Sequence, residues 1–118
     1  MLNLLRFRDR ADYTAFPDLA PEGSITGAQA YALYFDHTLP YLEAVGGSVE
    51  FVGDGGKFLI GPLGEQWDRV MLVRHRSIGA LMEMAASTGY QAGLGHRVAA
   101  LEDSRLLPIV ARAGGELR

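Results

Sequence analysis

The sequence predicts an α+β protein: a ferredoxin-like antiparallel sheet with its helices on one face. Three observations lead there. Strand-like and helix-like segments follow one another as strand, helix, strand hairpin, strand, helix pair, strand. The strand segments are apolar on both sides instead of alternating apolar with polar. The chain has 118 residues, 48% apolar and 21% charged, which suits one domain over 1–118, with a core at 1–110 and a loose tail at 111–118.

Residues 1–7 are leucine-rich and free of turn residues, and read as the first strand. Pro17, Pro21 and Gly23 make 12–23 a loop. Thr26 and Gln29 stand at the spacing of a capping box, in which each side chain satisfies a backbone N–H of the other. The helix that follows places Ala28, Tyr31, Phe35, Leu42 and Val45 on one face and ends at Gly46-Gly47. Pro40 removes a backbone donor and is expected to bend it near Asp36.

Segments 48–53 and 57–60 flank Asp54-Gly55-Gly56, which reads as a hairpin turn. Residues 69–76 are the clearest strand, rich in valine and long aliphatics. Ser77 caps a helix reaching to about residue 87, with an apolar stripe of Ile78, Leu81, Met82 and Ala85. Thr88-Gly89 breaks it. Residues 90–101 read as a further helix weakened by Gly93 and Gly95, and 105–110 as the last strand, with Pro108 at an edge or bulge.

Along 69–76, Val70 and Leu72 oppose Met71 and Val73; Leu2 and Leu4 oppose Leu5 and Phe7; Leu106 and Val110 oppose Leu107 and Ile109. Helices cover only one of these faces, and a second wet apolar face would exceed what monomers tolerate. At about 25 cal/mol per Å2, an interface of roughly 800 Å2 per partner supplies a large gross driving force, part of which association consumes. A homodimer through the sheet face is therefore expected; the alternative is that the 12–23 loop folds over it.

Eleven basic against fourteen acidic residues and a single lysine, Lys57, argue against nucleic-acid binding. Cysteine is absent, which excludes disulfides, thiolate nucleophiles and zinc–thiolate sites and fits a cytoplasmic protein. Residues 1–7 are too short for a signal peptide, and no stretch is long enough to span a membrane. No GxGxxG, P-loop, GxSxG or HExxH is present, and three dispersed histidines do not suggest a metal site. No cofactor is expected.

The remaining candidates are single residues. His96, beside Arg97 and six residues after Tyr90, is either a general acid–base (or donor to a bound anion) or a helix residue bonded to a carbonyl. Tyr34, His37 and Tyr41 form a stripe that either lines a pocket or is a half-exposed flank. Trp67, with Asp68, either walls a ligand site or plugs the end of the barrel. Of Arg74 and His75, on opposite faces of their strand, at most one enters a shared cavity.

Trp67-Asp68, the valine-rich strand, Ser77 and the run from Tyr90 through His96-Arg97 to Ala99-Ala100-Leu101-Glu102-Asp103-Ser104-Arg105-Leu106 together resemble the domain-of-unknown-function family numbered thirteen-thirty, of the dimeric α/β-barrel superfamily. Ser87-Thr88-Gly89 departs from the acidic-proline pair frequent in that family, and His75 stands where an aromatic is common. The resemblance implies a dimeric α/β barrel and groups His96, Arg97, Tyr90, Trp67 and Asp68 as a functional cluster. Related barrels include cofactor-free monooxygenases, isomerases and plain binding proteins. The expectation that follows is a cofactor-independent oxygenase- or isomerase-like enzyme acting on a small aromatic or carboxylated metabolite. In it His96 moves a proton, Arg97 or Arg74 holds an anion, and Trp67 and Tyr90 wall the pocket. The alternatives are a non-catalytic ligand-binding dimer and a structural interaction module.

Overall fold

A computed structural model describes residues 1–115. Four strands form one sheet: β1 (Leu2–Phe7), β2 (Ser48–Lys57), β3 (Gln66–Arg74) and β4 (Leu101–Leu107). Their order is β2-β3-β1-β4 and every neighbouring pair is antiparallel, which is the ferredoxin-like arrangement. The helices are α1 (Gly27–Ala44), α2 (Ile78–Ala86), α3 (Thr88–Gln91) and α4 (Leu94–Ala100), and the loop before α1 holds a short 3-10 turn at Pro17–Leu19. The 111–118 tail reaches past the described residues; within them it makes one 3-10 turn, Ala113–Gly115.

Local signals set the helix ends. The Thr26 hydroxyl accepts from the Gln29 amide at 3.1 Å and the Gln29 side chain accepts from the Thr26 amide at 2.9 Å, closing the capping box. Gly46, at φ +80°, takes the left-handed conformation that ends α1, while Pro40 is accommodated inside it. Ser77 caps α2 by accepting from the Ala80 amide.

Several expected boundaries are corrected. Asp54-Gly55-Gly56 is not a turn: β2 runs straight through it, pairing Asp54 with Arg69 and Gly56 with Trp67, and the chain reverses later, at 58–65. Gly55 serves close approach instead, because a Cβ there would strike the Trp67 carbonyl. β3 begins at Gln66, so Trp67 and Asp68 lie inside it while His75 and Arg76 lie beyond its end. Ser87 ends α2 and caps α3 by accepting from the Tyr90 amide, so the break expected at Thr88-Gly89 comes one residue earlier, and a second break falls at Ala92-Gly93 between α3 and α4. β4 starts at Leu101, earlier than expected, so Pro108 follows the strand and leaves its ladder intact. On α1 the buried stripe is Gly27, Ala30, Tyr31, Tyr34 and Leu42; on α2 it is Ala80 and Met84, leaving Ile78 and Met82 exposed.

Register sorts the sheet's two faces. Leu5, Met71 and Leu101 pack beneath Ala30, Tyr31, Tyr34 and Ala100 as the core. On the opposite face, cross-strand pairing lines up Phe51, Leu72, Leu2 and Leu107 as one apolar rung across all four strands. The next rung is Gly53, Val70, Leu4 and Arg105. Phe51 and Leu107 are each 54% exposed. The molecule is 17 Å thick, a sheet with one helix layer.

Candidate functional site

A cavity of about 240 Å3 lies between α1 and the sheet. Tyr31, Tyr34, Phe35, Thr38 and Leu42 line it from α1, Asn3, Met71 and Val73 from the sheet, Met84 from α2, Tyr90 from α3, and Leu94 and Arg97 from α4. Its walls are mainly apolar and aromatic, with a few polar groups set among them, which is how small-molecule sites are built.

Those polar groups fall into two sets. The Tyr34 and Tyr90 hydroxyls share a hydrogen bond of 2.9 Å. Burial, helped by that bond, raises the Tyr34 pKa, and burial also raises that of Tyr31, so both rings are neutral donors at physiological pH. Arg97 donates weakly to the Ser104 hydroxyl at 3.4 Å and has no carboxylate partner among the described residues. The second set is unsatisfied: Thr38 Oγ1 and His75 Nδ1 are buried, line the cavity and bond to nothing. A buried polar group left without a partner costs about 1–3 kcal/mol, so each is a group that a polar ligand atom would satisfy.

The structure brings together some of the sequence-derived candidates and separates others. Tyr90 and Arg97 line the cavity. His96, one residue before Arg97, faces away: its Nδ1 meets the Tyr13 hydroxyl at 2.8 Å, and that contact ties the 12–23 loop to α4. Trp67 is buried beneath the Arg105 guanidinium, 5.0 Å from its ring centroid, and donates to Glu65. Asp68 accepts from the Phe7 amide at 2.8 Å, which adds a side-chain tie between β3 and the end of β1. Arg74 lies in an open groove outside the cavity. His37 bonds the Gly89 carbonyl at 2.7 Å, joining α1 to α3. Thr38 is not among the sequence-derived candidates, although a hydroxyl on the apolar Tyr31–Tyr34–Leu42 stripe is a legible signal. Tyr31 was read only as core.

Burial lowers the pKa of both His96 and His75, aided by His37 in the first case and by the terminal ammonium in the second. The unfolded chain therefore takes up protons below pH 6.5 that the folded chain refuses. The stability these groups contribute is greatest above that pH and declines as pH falls below it. Asp12 and Asp103 are shifted downward, by hydrogen bonds to Thr14 and Arg105 respectively, so their contributions are lost only nearer pH 4 and below. Thermal melts across pH 5–7 are expected to show the decline, and His96→Gln to flatten it. An unchanged slope in that variant removes His96 from the account.

A β2-β3-β1-β4 sheet with a lined cavity under its helices defines a ferredoxin-like α+β protein. The chain is similar to two crystal structures of the RPA0582 protein, one described as a protein of unknown function from Rhodopseudomonas palustris and one as its methylated form. Identities are 40% and 39%; 92% of this chain aligns with 80% and 78% of those chains, at a TM-score of 0.78 for both. The chain belongs to the family of the RPA0582 protein. No family profile and no curated protein matches it. Among the described residues no helix is long and apolar enough to cross a membrane.

Proposed function

We propose that the protein is a cytoplasmic homodimer of the dimeric α/β-barrel superfamily that binds a small carboxylated or aromatic metabolite in the cavity beneath α1. The observation that carries this reading is a pair of unsatisfied buried atoms, Thr38 Oγ1 and His75 Nδ1, in the same apolar cavity as an Arg97 without a carboxylate partner. A carboxylate on Arg97 would gain charge-assisted hydrogen bonds, and a further polar atom would satisfy Thr38 or His75. Because His96 lies outside the cavity, binding is favoured over a reaction in which His96 moves the proton.

The dimer rests on area. The chain exposes 7975 Å2, whereas a compact monomer of 12.8 kDa exposes about 6300 Å2. The excess exceeds the roughly 800 Å2 per partner of a standard interface. The apolar rung of Phe51, Leu72, Leu2 and Leu107 is where a second sheet would gain most.

A thermal-shift screen of small carboxylic and aromatic acids tests the cavity. A ligand at a hundred times its Kd adds about 2.7 kcal/mol, a rise near 10 °C at roughly 4 °C per kcal/mol for a chain of this size. Arg97→Met is expected to abolish the rise. If no compound stabilises the wild type, the reading fails; if mass spectrometry finds a stabilising compound chemically changed, the binder is an enzyme.

A further inference from the structure

We propose that the ligand is a straight-chain aliphatic carboxylate longer than the cavity, with its head group on Arg97 and its tail leaving through the mouth into a neighbouring groove. This rests on the cavity reading above and goes beyond it in assigning a ligand class and an orientation.

The cavity adjoins an open groove of about 740 Å3, and the two share Met1, Val73, His75 and Leu81 in their linings. These residues mark the mouth. Arg97 lies at the other end. Its guanidinium reaches Ser104, which pairs with Leu5, whereas Met1 pairs with Val73 at the mouth. Four residues of strand at about 3.3 Å each put roughly 13 Å between the two ends. Arg97 is the cation of the inner end; at the mouth the Met1 ammonium is already held by the Val73 carbonyl at 2.8 Å, and Arg74 and Arg76 lie outside it.

Beyond the mouth the groove runs between Ile78 of α2 and Ile109 and Val110 of the segment after β4. These three side chains are 68%, 54% and 93% exposed, so a chain laid among them would cover apolar surface that the fold leaves wet. The orientation follows from desolvation. A tail end placed against Arg97 would remove water from a guanidinium and give it no partner. Arg74 and Arg76, by contrast, are exposed in the groove and need no counter-ion.

Hexanoate and dodecanoate, used below micelle-forming concentration, test the proposal by calorimetry. With about eight non-hydrogen atoms at roughly 30 Å3 each, the share of a water in the liquid, hexanoate matches the cavity alone. Each further buried methylene is worth about fourfold in affinity, so dodecanoate is expected to bind at least a hundredfold tighter, once per chain and in competition with hexanoate. Ile109→Asp and Ile78→Asp alter exposed positions that the fold does not depend on. They are expected to weaken dodecanoate at least tenfold and leave hexanoate unchanged, while Arg97→Met weakens both. Hexanoate binding with no gain for dodecanoate overturns the groove and spares the cavity; binding of neither overturns both. Loss on Arg76→Ala without loss on Arg97→Met overturns the orientation.

Discussion

Leu72→Glu is expected to turn the proposed dimer into a monomer at micromolar concentration, read by sedimentation. Leu72 lies between Phe51 and Leu2 in the apolar rung, on the sheet face away from the helices. A carboxylate there would be desolvated by a second sheet, and the effective cost of burying such an ion is several kcal/mol. Each 1.4 kcal/mol is tenfold in Kd, so the expected weakening is a thousandfold or more. The charged end of the same face gives the contrast. Arg105 sits one rung away, is paired with Asp103 at 2.6 Å and is half exposed, so Arg105→Ala should change the association little. A wild type that sediments as a monomer at high concentration, or a Leu72→Glu variant that still dimerises, would remove the sheet-face interface.

The second large effect concerns two glycines that look alike in sequence. Gly27 opens α1 and Gly79 lies near the start of α2. In an exposed helix, Gly→Ala gains up to about 1 kcal/mol, because alanine loses less backbone entropy on folding. At Gly79 an added Cβ meets only Ser77 Oγ, at an ordinary 3.6 Å, so Gly79→Ala is expected to stabilise by about 0.5–1 kcal/mol. At Gly27 the same methyl would strike the carbonyls of Arg8 and Ala100 and the Arg8 amide. All three atoms are main chain, so no rotamer change relieves the contact. They also belong to the bonds that join the elements: the Gly27 amide donates to the Arg8 carbonyl at 3.0 Å and the Arg8 amide to the Ala100 carbonyl at 2.8 Å. Gly27→Ala must push the start of α1 away from the junction of β1 and α4, at a cost of about 3 kcal/mol, the upper end for overpacking. That corresponds to more than 10 °C in Tm for a domain of this size. Opposite shifts in the two variants are the expected result; a shift of the same sign in both would mean that helix propensity outweighs packing at residue 27.

The candidate site was only half legible for a related reason. Tyr90 and Arg97 were picked out by residue type, and both reach the cavity. His96 and Trp67 were picked out in the same way and are taken up by Tyr13 and by Arg105 with Glu65. Side chains with chemical potential serve equally as ties between elements. Which use they have depends on what stands opposite, tens of residues away in the chain.

By itself the sequence determined what is settled within three or four residues: the Thr26–Gln29 capping box, the left-handed stop at Gly46 and the Ser77 cap. It also determined the two-faced strands and the ferredoxin-like order of elements, since apolar residues on both faces of a strand and helical spacing between strands are written along the chain. Only the tertiary structure decided that β2 passes through Asp54-Gly55-Gly56, that β4 begins at Leu101, and that Thr38 and His75 share a cavity with Arg97. The physical reason is that a glycine or a polar side chain keeps the same local preferences in either role. The choice between turn and close approach, or between tie and ligand group, is made by backbone and side chains that only folding brings near.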